Sequence, residues 1–138
     1  MQVLYYPDQT DKEEGSGPII KFFKKLRDER PPALWVLVRT TLEKVEKSSN
    51  LDDLQRQGWI ERIPYSKVPL YEFRIPPKKR KEGVARLYFA YKKSDQKIIY
   101  ILSAEKKHGK TKADTEKIKQ AEQRYNEVCL WKPKNHKK

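Results

Sequence analysis

A chain of 138 residues has room for one ordinary domain and not for two. Apolar residues are only 36% of it, yet they gather into blocks of Ile, Leu, Val, Tyr and Phe sufficient for one core. Thirty-two Lys and Arg against nineteen Asp and Glu leave a net charge of +13, a field that attracts polyanions over a Debye length of about 8 Å at physiological salt, so nucleic acid is the expected partner.

In chain order, residues 3–6 form a short β-like run, followed by a charged, turn-rich loop over 8–17. Ile19, Phe22, Phe23 and Leu26 then recur at helical spacing, with Lys21, Lys24, Lys25 and Arg27 on the opposite side. Pro31 and Pro32 close that helix, and Leu34, Trp35, Val38, Leu42 and Val45 mark the buried stripe of a second one, completing a helical hairpin. Such stripes are core packing, and no chemistry is assigned to them. Residues 49–57 read as a connecting loop, and 59–63 as a short strand stopped by Pro64.

Three runs rich in β-branched and aromatic residues follow, over 70–75, 84–91 and 98–104, and predict an antiparallel meander. A basic loop over 76–83 joins the first two, and Ser94 and Asp95 supply the turn between the last two. Asp114 can cap a final helix carrying Ile118, Ala121, Tyr125 and Val128 on one side, before Pro133. The expected fold is therefore α+β, with an N-terminal strand, a helical hairpin, an antiparallel β-sheet meander and a C-terminal helix. The domain is expected over residues 1–130, with a flexible basic tail over 131–138.

No run approaches the roughly 20 apolar residues that cross a bilayer, and residues 1–7 lack the charged-then-apolar pattern of a secretory signal, so a cytoplasmic protein with no membrane contact is expected. Cys129 is the lone cysteine, and His108 and His136 lack metal-ligand spacing, so neither a disulfide nor a metal or other cofactor is expected.

Strand alternation sorts the residues that can carry chemistry. Tyr71, Phe73 and Ile75 share one face and Leu70, Glu72 and Arg74 the other; Leu87, Phe89 and Tyr91 oppose Arg86 and Tyr88. Two guanidiniums, Arg74 and Arg86, are thus expected on one open face, with Tyr88 placed to stack on a nucleobase. At the end of the third run come Lys106, Lys107, His108 and Lys110, where a loop presents side chains to a ligand. A lysine acting there as a base needs a pKa below its reference of about 10.4, which crowded cations favour. His108, with a reference pKa of about 6.5, is a second candidate for proton transfer. Lys78, Lys79, Arg80 and Lys81 in the basic loop are expected to contact RNA backbone through charge. Taken singly, each of these cations is more often a solvated surface charge or a guard against edge association.

Taken together they resemble a family. Leu70-Tyr71-Glu72-Phe73-Arg74, then Arg86-Leu87-Tyr88-Phe89, the apolar strand over 98–102, the Lys106-Lys107 pair, Lys110-Thr111 and the helix with Ala121 follow the order and spacing of the phage-Gp49-like branch of the RelE/HigB toxins. The segment over 18–26 is similar to that family's first helix, so the resemblance spans roughly residues 1–128. His108 and Lys112 depart from it, standing where a small polar residue and a proline are common.

The resemblance implies a RelE-like fold and a ribosome-dependent endoribonuclease, an mRNA interferase that inhibits translation as the toxin of a toxin–antitoxin system. It also implies an antitoxin partner of the helix-turn-helix type. In the residues carried over, Arg74 and Arg86 hold the scissile phosphate, and Lys106, Lys107 or Lys110 assists with charge or proton transfer. Two other readings stay open: a ParE-like inhibitor of DNA gyrase, and a non-catalytic RNA- or ribosome-binding module.

Overall fold

The computed structural model describes residues 1–78, 81, 83–92, 98–108 and 114–135, excepting the side chains of 92 and 129–135. Among these, nine elements succeed one another: β1 (Gln2–Tyr5), α1 (Pro18–Arg27), α2 (Ala33–Glu46), α3 (Asp52–Arg56), β2 (Ile60–Arg62), β3 (Tyr71–Ile75), β4 (Val84–Lys92), β5 (Ile98–Lys107) and α4 (Thr115–Asn135). This is the expected α+β order of a RelE-like fold. Two corrections apply. Residues read wholly as loop contain α3, a single turn seated by buried Leu54 and too short to show a helical period. Helix α4 runs to Asn135, into the segment read as a tail. The turn expected around Ser94 and Asp95 lies outside the described residues.

The strands form one five-stranded sheet in the order β1-β5-β4-β3-β2. From β2 to β5 it is the expected antiparallel meander, whereas β1 lies parallel to β5 at the far edge, so the whole sheet is mixed. One face carries the hairpin of α1 and α2. Phe23, Trp35, Val38 and Leu42 meet Phe73, Leu87 and Phe89 in the main core, where Phe73 and Phe89 stack with ring centroids 4.5 Å apart.

The other face is not open. α4 lays Ile118, Ala121 and Val128 over Leu70, Tyr88, Ala90 and Leu102, forming a second, smaller cluster. Periodicity identifies which side of a strand is apolar, but not which element covers the opposite side.

Strand β5 contains an irregularity that decides where the candidate residues point. Tyr88 pairs with Ser103 and Phe89 with Ile101, so Leu102 is an extra residue, a β-bulge. Leu102 packs under α4, and the hydroxyl of Ser103 donates to Gln120 on α4 at 3.1 Å. The alternation is thereby shifted by one. Ala104 belongs to the main core under the hairpin, while Glu105 lies on the α4 side.

Candidate functional site

Arg74 and Arg86 are direct cross-strand partners on β3 and β4, on the side of the sheet opposite the main core. That side also carries Glu72, two residues before Arg74 and paired across the strands with Tyr88. Glu72 is buried at 3% exposure, and its carboxylate holds both arginines. The Arg74 Nε–H donates to it at 2.5 Å, and one terminal nitrogen of Arg86 lies 3.2 Å from each carboxylate oxygen. A carboxylate taken out of water is costly unless cations compensate it, and here two do. Arg74 also pairs with Glu61 on edge strand β2, a residue more than half exposed.

Burial of Arg74 acts to lower its pKa. The hydrogen bond to Glu72 and the charges of Glu72 and Glu61 outweigh that effect and raise it. This guanidinium therefore remains a fixed positive charge.

A second buried carboxylate, Glu105, faces Arg86 across β4 and β5. It accepts the Tyr88 hydroxyl and the Asp114 N–H, the latter at 3.0 Å, and Lys107 approaches it at 3.4 Å. Burial first, then the hydrogen bond to Glu105 and the charges of Glu105 and Glu72, push the Tyr88 phenol far above its ordinary range, against a small opposing effect of Arg86. Tyr88 is 0% exposed, which corrects its expected role: a ring closed under α4 cannot stack on a nucleobase.

The adjacent lysines separate because β5 continues through them instead of ending at Ala104, and neighbouring residues of a strand point to opposite faces. Lys107 joins Glu105 on the arginine side. Lys106 pairs at 2.6 Å with Glu29 in the α1–α2 connection, beneath the hairpin. Each lysine thus has a carboxylate for its near neighbour, where crowded cations were expected. His108 follows, exposed, at the strand end.

The β3–β4 loop returns against this end through Gly83, whose φ is +99°. A Cβ there would lie 3.0 Å from the Lys107 carbonyl oxygen and 3.0 Å from Cε of Lys106. Only glycine permits so close an approach with that backbone. Lys78 and Lys81 of the loop are exposed. Lys79, Arg80 and Lys110 lie outside the described residues.

Of the sequence candidates, the structure brings together Arg74, Arg86 and Lys107 and turns Lys106 away. It adds Glu61, Glu72 and Glu105, so three cations meet three carboxylates. This is a compensated network instead of the bare cationic patch that charge counting suggests. The signal for Glu72 was present in Glu72-x-Arg74, opposite charges two apart on one face of a strand. A cleft of about 300 Å³ between α3 and the sheet, lined in part by Asp52, Tyr71 and Tyr91, lies on the hairpin side, away from the arginines.

Among the described residues no helix is long and apolar enough to cross a membrane. The sequence profile of the family described as phage-derived protein Gp49-like matches residues 21–126, a span that takes in every member of the arginine–glutamate network. No curated protein and no solved structure matches the chain.

Proposed function

The chain belongs to the Gp49-like family of phage-derived proteins, within the RelE-like toxin–antitoxin group, and from that premise we propose that it is a toxin that cleaves messenger RNA on the ribosome and so stops translation. The observation that carries this reading is the pairing of Arg74 with Arg86 across β3 and β4, beside the strand end that bears Lys107 and His108.

Two guanidiniums on adjacent strands suit a phosphodiester. In the proposed reaction the RNA 2′-oxygen attacks the adjacent phosphorus, the bond to the 5′-oxygen breaks, and a 2′,3′-cyclic phosphate and a 5′-hydroxyl result. The proton leaving the 2′-hydroxyl is taken up by a base, and another is delivered to the departing 5′-oxygen. Charge grows on the non-bridging oxygens during attack, and Arg74 and Arg86 offset it with donors already in place. Lys107, His108 and Lys110 supply the proton-transferring groups, with Lys106 left outside the chemistry by its orientation. The RNA brings its own nucleophile, so the reaction calls on no cofactor.

Lys78, Lys79, Arg80 and Lys81 hold RNA backbone by charge, an interaction that weakens steeply with salt. The partner that neutralises the toxin is an antitoxin of the helix-turn-helix type, presenting an acidic segment to the basic surface.

Primer-extension mapping of mRNA ends in a translation extract tests the reading. Wild type should create new ends only when ribosomes are present, and Arg86→Ala should remove them without loss of fold. RNA binding without new ends would select a non-catalytic module. Intact mRNA with inhibited DNA gyrase would select the ParE-like alternative.

A further inference from the structure

Glu72 belongs to none of the roles assigned so far, yet it is the most buried charged group of the network. We infer that Glu72 is the positioning residue of the site: its carboxylate fixes the Arg74 and Arg86 guanidiniums in the orientation that meets one phosphodiester. The inference rests on the nuclease reading and assigns that site a residue which touches no substrate itself.

The geometry supports it in three ways. First, Glu72 engages different atoms of the two arginines, Nε of Arg74 and a terminal nitrogen of Arg86, and these contacts set the orientation of both planar groups. Second, its side chain is 4% exposed on a strand paired on both sides, so it cannot swing toward solvent as a surface partner does. Third, the two guanidiniums are balanced by Glu72 and Glu61 together, so a phosphodiester that displaces the exposed Glu61 meets one uncompensated positive charge while Glu72 stays in place.

Glu61 provides the internal contrast. It contacts the same Arg74 from the edge strand, but its side chain is 57% exposed and free to be displaced by an incoming phosphate. Both carboxylates neutralise; only Glu72 is held rigidly enough to orient.

The test compares Glu72→Gln with Glu61→Gln in single-turnover cleavage of mRNA on programmed ribosomes, with melting curves to verify folding. Each variant adds the same unit of positive charge. For Glu72→Gln, a loss of about 10²-fold in the rate at saturating toxin is expected, with half-saturation moved by less than about threefold, because misplacing a catalytic group by about 1 Å costs this much. Glu61→Gln, which frees Arg74 on one side without releasing its orientation, should bind more tightly and lose at least about tenfold less rate than Glu72→Gln.

On an Arg86→Lys background, where the two-pronged guanidinium is already gone, Glu72→Gln should cost less than about tenfold further, the non-additivity of groups acting as a unit. A purely structural Glu72 would give additive losses that follow the melting temperature. If Glu72→Gln does not fold, Glu72→Asp, which keeps the charge and withdraws the carboxylate by one methylene, is read in the same way. Cleavage by wild type and by a folded Glu72 variant at equal rates overturns the positioning role alone. Absence of cleavage by wild type overturns the nuclease reading, and the positioning role with it.

Discussion

Two tyrosines buried on opposite faces of the sheet should respond in opposite directions to the same substitution. Tyr88 and Tyr5 are both 0% exposed. The Tyr88 hydroxyl donates to the Glu105 carboxylate, whereas the Tyr5 hydroxyl, packed edge-on against Phe23, has no hydrogen-bond partner among the described residues. Tyr88→Phe removes a hydrogen bond to a charged group, worth about 1.5–3 kcal/mol net, and leaves Glu105 the Asp114 N–H and Lys107. Tyr5→Phe removes a buried hydroxyl that gains nothing in return, and should stabilise by about 1 kcal/mol.

With an unfolding entropy of about 2.1 cal/mol/K per residue, each kcal/mol shifts the midpoint of a 138-residue domain by roughly 3–4 °C. Calorimetry at neutral pH should therefore show Tyr88→Phe melting roughly 5–10 °C below wild type and Tyr5→Phe about 3 °C above it. Fluorescence anisotropy on a single-stranded RNA supplies the second readout. Folded Tyr88→Phe should bind RNA as wild type does, because the ring has no access to a base. Equal melting shifts of the same sign would refute the hydrogen-bond argument, and an RNA-binding defect in folded Tyr88→Phe would refute the burial argument.

The same phenols set an alkaline limit. Both pKa values are raised in the fold, Tyr5 chiefly by burial and Tyr88 by burial and Glu105, so the folded state keeps protons that the unfolded chain releases. Their contribution is whole below the unfolded tyrosine pKa of about 10 and falls above it by about 1.4 kcal/mol per pH unit per phenol. Urea unfolding from neutral pH upward should show that decline, and the Tyr5→Phe/Tyr88→Phe double variant should flatten it; an unchanged slope would contradict the assignment. Gly83→Ala places a Cβ 3.0 Å from the Lys107 carbonyl at φ +99° and should destabilise by about 1–3 kcal/mol. Thermal melting indistinguishable from wild type would show that the loop has another way to approach the strand.

The local patterns in the sequence carried most of the architecture. Ile19, Phe23 and Leu26, then Leu34, Trp35, Val38 and Leu42, specify two helices and their buried sides, because each pattern repeats within a few turns of one element. Alternation in Tyr71-Glu72-Phe73-Arg74 and in Arg86-Leu87-Tyr88-Phe89 likewise placed both arginines off the main core.

What the tertiary structure alone decided depends on groups distant along the chain. α4 closes the second face and buries Tyr88, which alternation by itself leaves exposed. The bulge at Leu102 shifts the phase of β5, and the continuation of that strand to Lys107 divides a lysine pair that reads as one cluster. Glu72 and Glu105 are ordinary solvent carboxylates by composition, and become the centre of the site because arginines, a tyrosine and a backbone N–H from other segments converge on them. Charge in a sequence is a sum over residues, whereas the field at a site is set by which charges share a face and how deeply they are buried.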